Sequence, residues 1–193
     1  EGVTVKPIHK MTGEAGFNEV FLDNVVIADH MRIDEVGLGW KVAMSTLTSE
    51  RGAAQGVGAV ASSNSPFAAI ESLIELAKRK TRNGKPMWDD SLWRDKLVKL
   101  YERTEAAAQN ARRTRINALN GGAMRIPLQG KVTGTELGQE LHQLALSMLG
   151  MESSLYIGDP NAENDGSWLL GYMNTYTGTI SGGSSEIQRN ILG

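Results

Sequence analysis

The sequence predicts a mainly α protein, an up-down four-helix bundle with a short β segment at its N-terminus. Three observations carry this expectation. Apolar residues recur at helical spacing, as in Phe67, Ile70, Leu73, Ile74 and Ala77, and again in Leu137, Leu141, Leu144 and Met148. The links between such windows are short and carry Gly or Pro, which folds successive helices back on one another. Residues 15–30 differ from the rest in their density of β-formers: Phe17, Val20, Phe21, Leu22, Val25, Val26 and Ile27.

Taken in order, residues 15–30 read as one or two strands interrupted by Asp23-Asn24. Gly37 and Gly39 lead into a helical region over 40–62, rich in Ala, Gly and Val, whose small side chains let it pack closely on neighbours. Ser65-Pro66 is a start signal, Ser as N-cap and Pro at the first helical position. Asn83-Gly84-Lys85-Pro86 is a break. A long helix is predicted from about Ser91 to Asn120, striped by Trp93, Leu97, Leu100, Ala108 and Ala111 and ended by Gly121-Gly122. The helix after Pro127 stops at Gly150. Residues 150–167 read as a polar loop, Trp168–Leu170 as a short helical piece, and Ser181–Arg189 as a glycine turn opening a helix.

At 193 residues the chain suits one domain with a small appendage. It begins with Glu1 rather than Met and ends inside an expected helix, so it reads as part of a longer protein. Hydrophobic residues at 40% and charged residues at 22% are ordinary for a soluble globular domain. A formal net charge of -2 argues against a general nucleic-acid binder, which draws its affinity from many phosphate contacts, yet leaves room for a local basic pocket. The absence of Cys removes disulfide and thiolate chemistry and fits a reducing, cytoplasmic setting. No apolar run approaches the roughly 18 residues of a membrane span. His9, His30 and His142 lack metal-ligand spacing, and Asp159, Glu163 and Asp165 lack the offsets of a calcium loop; the first three read as structural or solvated, the others as surface loop, and no metal is expected. Trp88 and Trp93 read as core or interface anchors.

Chemistry concentrates in a few segments. The Gly-Gly turn before Ser184-Ser185 exposes helix N–H groups that can hold an anion, or simply forms a Ser-capped helix start. The wording of Thr179–Asn190, TISGGSSEIQRN, resembles the C-terminal signature of acyl-CoA dehydrogenases. Phe17–Val25, FNEVFLDNV, resembles the end of that family's middle β-domain, and Gly39–Met44, GWKVAM, the entry to its first C-terminal helix. The order and spacing of the three segments also match, so the resemblance spans nearly the whole chain. It implies that residues 1–34 end a middle β-domain and that 35–193 form the family's C-terminal helical bundle.

The resemblance further implies an FAD enzyme that converts an acyl-CoA thioester to a trans-2-enoyl-CoA, reoxidised by an electron-transferring flavoprotein. It implies a homo-oligomer, tetramer or dimer, in which FAD contacts cross subunits. The family's base is a glutamate, whose pKa burial raises towards the working pH. In many members it precedes the glycine of the C-terminal signature, where this chain has Gly182. Other members, of the isovaleryl and long-chain type, place it on the first long helix before an Arg. That position reads Thr48-Ser49-Glu50-Arg51, so Glu50 is the expected base and Arg51 the expected substrate contact. By themselves Glu50 and Arg51 read as a solvated pair on a helix face.

The same resemblance points Arg79 at the FAD pyrophosphate, although the family's Phe-Gly is replaced here by Arg82-Asn83-Gly84. Without it, Arg79 reads as a cation at a helix C-terminus. Ser147, Gly150 and Met151 match a segment that touches FAD from the adjacent subunit, and Gly183, Ser184 and Glu186 match signature residues that reach it. Glu186 stands where an amide is usual, which suits a ribose hydroxyl better than a phosphate. Two other readings remain open, both permitted by Gly182: a flavin-dependent monooxygenase on the same fold, and a non-catalytic subunit of a heteromeric dehydrogenase.

Overall fold

The computed structural model describes residues 1–53, 66–113, 116 and 125–193, with backbone only at 48, 50–53, 66, 67 and 125–127. The chain divides into two compact units, Glu1–Gly52 and Ala53–Gly193.

The first unit opens with a β-hairpin. Strand β1 (Val3–Ile8) pairs antiparallel with β2 (Phe17–Leu22), in a register running from Val3 opposite Leu22 to Ile8 opposite Phe17. The expected strand over 15–30 is therefore β2, and Val25–Ile27 continue no strand. Its partner β1 was not expected from the sequence. Pro7 interrupts the donor pattern and Lys6-Pro7 breaks the apolar alternation, so the pairing rather than local propensity makes this strand. Every residue of both strands is exposed, including Val5, Val20 and Phe21. Helix α1 (Gly39–Ala53) follows and holds the predicted start of the helical region; its expected extension to 62 lies outside the described residues.

The second unit is built on α2 (Pro66–Arg79), α3 (Ser91–Arg113), α4 (Arg125–Leu149), α5 (Ser167–Ile180) and α6 (Ser185–Leu192). The predicted cap Ser65, the segment 114–120 apart from Ile116, and Gly121-Gly122 lie outside the described residues. Asn83-Gly84, expected as a break, is the two-residue loop of a tight hairpin between β3 (Thr81–Arg82) and β4 (Lys85–Pro86). Asn83 and Gly84 have φ of 54° and 76°, the positive pair that a type I′ turn requires.

Cross-contacts give the helix directions. The end of α2 meets the segment after α4, through Lys80 with Glu152, so α2 and α4 run the same way. Trp93 at the start of α3 stays beside Arg82, just after the end of α2, and α3 packs back along α2, so it runs against α2 and α4. Gly171 lies against His142 and Gly178 against Thr135, so α5 also runs against α4. The order is up-down-up-down, with α4 touching α2, α3, α5 and α6. The core is the meeting of their stripes: Ile70, Leu73, Leu76 and Ala77; Trp93, Leu97 and Leu100; Leu137, Leu141, Leu144, Ala145 and Met148; and Trp168. Trp88 packs partly buried against this core, as its anchor reading expects.

The piece around Trp168 is a full helix of 14 residues, and 150–167 is not a plain loop but contains 3-10 turns at Gly150–Ser154 and Glu163–Gly166. On α3 the buried stripe continues to Thr104, whose hydroxyl donates to the Leu100 carbonyl at 2.8 Å, while Ala108 and Ala111 are only half-buried.

Candidate functional site

Glu50 and Arg51 lie near the C-terminal end of α1, and their side chains fall outside the described residues. The remaining predicted residues sort into two groups on the second unit.

The first group lies where α2 and α4 end. Arg79 closes α2, and its Nη2 pairs with Glu163 at 2.9 Å. Lys80 Nζ pairs with Glu152 and lies 3.5 Å from Glu163. Its pKa is raised chiefly by the hydrogen bond to Glu152. Glu163, expected as plain surface loop, instead has a side chain only 16% exposed and gathers both cations. A cavity of about 450 Å³ opens beside it, lined by Glu71, Ser72, Glu75, Arg79, Glu163, Asn164 and Trp168. The Arg79 side chain keeps 62% of its exposure, so it can still meet an incoming anion in competition with Glu163. Ser147 is exposed on the last turns of α4, its hydroxyl donating to the Gln143 carbonyl at 2.8 Å. Gly150 ends α4 at φ 60°, with nothing near the place a Cβ would take. Met151 is 92% exposed.

The second group is the turn into α6. Gly182 and Gly183 have φ of 62° and 93°. These are left-handed conformations, which glycine adopts more readily than a residue with a Cβ. Ser184 is the N-cap of α6, accepting from the Ile187 N–H at 3.4 Å. The Glu186 carboxyl is held below the usual range first by its own backbone N–H, then by the Ser184 hydroxyl, with Arg189 and Lys131 adding attraction. An ionised side chain thus already covers the start of α6. A phosphate there would meet a negative charge, whereas a hydroxyl would meet an acceptor.

Sequence reasoning missed the groups that hold this turn. Lys131 on α4 donates from Nζ to the Gly183 carbonyl at 2.6 Å. Gln188 on α6 donates from Nε2 to the Gly182 carbonyl at 2.7 Å. A lysine on a helix carries no periodic signal, and Gln188 stands out in the sequence only as part of the Thr179–Asn190 segment. Arg189 ties α6 to α4 through Glu136, at 2.6 Å and 2.7 Å.

The two groups stand at opposite ends of α4. Lys131 and Gly150 are separated by about 28 Å along the helix axis at 1.5 Å per residue. No metal-binding cluster occurs among the described residues. His142 is buried and structural, with Nδ1 at 2.8 Å from the Gly138 carbonyl. No helix is long and apolar enough to cross a membrane among the described residues.

A family model described as "Acyl-CoA dehydrogenase, C-terminal domain" matches residues 37–193. The acyl-CoA dehydrogenase IpdE1 of Mycobacterium tuberculosis is 34% identical over 194 residues, covering 99% of this chain and 46% of that protein. IpdE1 of Mycolicibacterium smegmatis is 33% identical over 191 residues, covering 99% and 44%. The chain thus spans about half the length of these relatives. Among solved structures, the ChsE4-ChsE5 complex of Mycobacterium tuberculosis matches with a TM-score of 0.77 at 25% identity, over 100% of this chain and 48% of that one. The steroid acyl-CoA dehydrogenase Tcur3481-Tcur3483 matches with a TM-score of 0.80 at 20% identity, over 100% and 47%, a likeness of fold alone.

Proposed function

The chain belongs to the acyl-CoA dehydrogenase family and supplies its C-terminal helical domain; from that membership we propose that the whole protein is an FAD-dependent dehydrogenase of acyl-CoA thioesters, with Glu50 as its base. The observation that carries the reading is the family match over 37–193, which contains both Glu50 on α1 and a C-terminal turn whose Gly182 has no carboxylate to offer.

In this reading Glu50 takes the α-proton of the thioester, and Arg51 contacts the substrate. The β-carbon gives up a hydride, and the product is the trans-2-enoyl-CoA. Bound FAD supplies the hydride acceptor. The chain's residues fit such a cofactor. Arg79, exposed beside an open cavity, would face its pyrophosphate, with Ser147, Gly150 and Met151 at the same end of the bundle. Gly183, Ser184 and Glu186 would face it at the other end, with the Glu186 carboxylate accepting from a sugar hydroxyl. Because these groups lie at opposite ends of α4, one FAD would be held by two chains, as a homotetramer or homodimer provides. An electron-transferring flavoprotein is the proposed acceptor and the cytoplasm the proposed setting.

Anaerobic flavin reduction tests this. The full-length protein and its Glu50→Gln variant would be mixed with straight-chain, branched and steroid-type acyl-CoAs. Loss of flavin bleaching by at least about a thousandfold in rate, with FAD still bound, is expected for removal of a catalytic base. Unchanged bleaching moves the base elsewhere.

A second reading has its own observation. The 25%-identical ChsE4-ChsE5 structure is a complex of two differently named chains. In that reading this protein is the non-catalytic member of a heteromer, contributing structure and cofactor contacts. No bleaching by the protein alone, with bleaching restored by a second dehydrogenase chain that co-purifies with it, would establish this.

A further inference from the structure

A pair of consecutive glycines is the least self-determined stretch a chain can carry, since each residue reaches both signs of φ. Gly182 and Gly183 nevertheless take one defined turn, both at positive φ, immediately before the cap of α6. Two side chains account for it. Gln188 is 1% exposed and spends its amide N–H on the Gly182 carbonyl at 2.7 Å, reaching the Gly183 carbonyl at 3.5 Å. Lys131 reaches across from α4 and places its ammonium on the Gly183 carbonyl at 2.6 Å. A half-buried ammonium committed to a main-chain carbonyl is an uncommon use of lysine, because the long side chain ordinarily carries its charge to water. Burial lowers its pKa, against the opposing pull of Glu136 and Glu186.

A trans peptide sets its N–H opposite its C=O. With the two carbonyls drawn towards Gln188 and Lys131, the N–H groups of Gly183 and Ser184 are turned to the other side. The close fit is visible at Gly183, where an added Cβ would stand 2.8 Å from the Gln188 amide nitrogen.

We propose that Lys131 and Gln188 are positioning residues that clamp the Gly182–Gly183 turn through its carbonyls, so that Gly183, Ser184 and Glu186 are presented to the cofactor in one fixed geometry. The inference rests on the reading of Gly183–Glu186 as a cofactor contact. Lys131 contributes a cross-helix tether from α4, and Gln188 a local one from within α6. Preorganising a contact segment raises affinity by sparing the ordering cost at binding.

The test uses the full-length protein, stripped of flavin and titrated with FAD. Lys131→Met removes the ammonium and keeps the apolar stem, while Lys131→Arg keeps a charged donor. FAD affinity is expected to fall about tenfold in Lys131→Met and to stay within about twofold in Lys131→Arg, the scale of one charged hydrogen bond. Thermal unfolding of the flavin-free forms is expected to differ little, and amide exchange of the peptide spanning 181–186 in the flavin-bound form is expected to speed up in the Met variant only. Gln188→Leu deletes the donor without adding a charge at this buried site, and a several-fold loss there tests the clamp independently if Lys131→Met does not fold. Wild type binding FAD with Lys131→Met and Gln188→Leu matching it would overturn the clamp and leave the dehydrogenase reading standing. Equal losses in the Met and Arg variants, tracking lowered stability without flavin, would also overturn it, as a purely structural role. Wild type that binds no FAD would remove the dehydrogenase reading and this inference together.

Discussion

The imidazole of His142 is walled in by α5. Its Nδ1 lies 2.8 Å from the Gly138 carbonyl, its ring meets Trp168 edge-on at 5.6 Å, and Gly171 packs against Nε2. With Nδ1 facing an acceptor, the neutral ring carries its proton there. Burial pushes the pKa below the ordinary 6.5, and the Gly138 carbonyl only partly opposes this. The sign follows from linkage. The unfolded chain binds a proton on this group below about pH 6.5 where the folded chain resists it, so stability is complete above that pH and is lost as pH falls towards the depressed folded value. The slope contributed is at most about 1.4 kcal/mol per pH unit. Denaturant unfolding between pH 7.5 and 5 should therefore show the wild type losing stability more steeply than His142→Gln. Parallel curves would mean that His142 charges as easily folded as unfolded. The same pocket sets a steric prediction. An Ala Cβ at 171 would sit 2.4 Å from Nε2 and 2.6 Å from Cδ2 of a ring bonded to the Gly138 carbonyl and packed on Trp168. Gly171→Ala should cost about 2 kcal/mol, and most of that should return when His142→Ala is combined with it in a double-mutant cycle. A Gly171→Ala protein as stable as wild type would show that the ring yields.

At the scale of elements, α4 and α5 meet through small and β-branched residues: Gly138 against Thr175, Gly171 against His142, and Gly178 against Thr135. This explains why α5 was legible only in part. Ser167–Ile180 contains two glycines, three threonines and an asparagine, all weak helix formers, so local propensity gives little sign of a helix of 14 residues. The close approach that these residues permit supplies what propensity lacks. The helices α2 and α4 were plain in the sequence because Leu73, Ala77, Leu137, Leu141, Leu144 and Met148 all face one core. Strand β1 was not, because its partner lies across a turn and none of its residues is buried. The site divides in the same way. The glycine turn and the Ser184 cap could be read from residue types with fixed local roles. Lys131, Gln188 and the Glu163 cluster could not, since each acts on a partner remote in sequence or on the main chain.

At the scale of the whole molecule, the separation of the two groups proposed to face the cofactor carries the last prediction. The Arg79 and Gly150 end lies about 28 Å from the Lys131 end along α4. If each FAD lies between the turn end of one chain and the Arg79 end of another, two differently damaged chains should repair each other. One full-length variant would carry Arg79→Glu, which reverses the charge facing the phosphate. The other would carry Ser184→Trp, which blocks the turn. Each alone should bind little FAD. When they are unfolded together and refolded as mixed dimers or tetramers, a pairing that joins the intact turn of the first to the intact Arg79 of the second rebuilds one site and leaves its counterpart doubly damaged. Random pairing should then restore FAD binding to about a quarter of the sites. If instead a single chain holds the whole cofactor, every site keeps one lesion and mixing restores nothing. Mass measurement of the mixed species, showing both variants in one assembly, ensures that a lack of recovery counts against the shared site and not against the mixing.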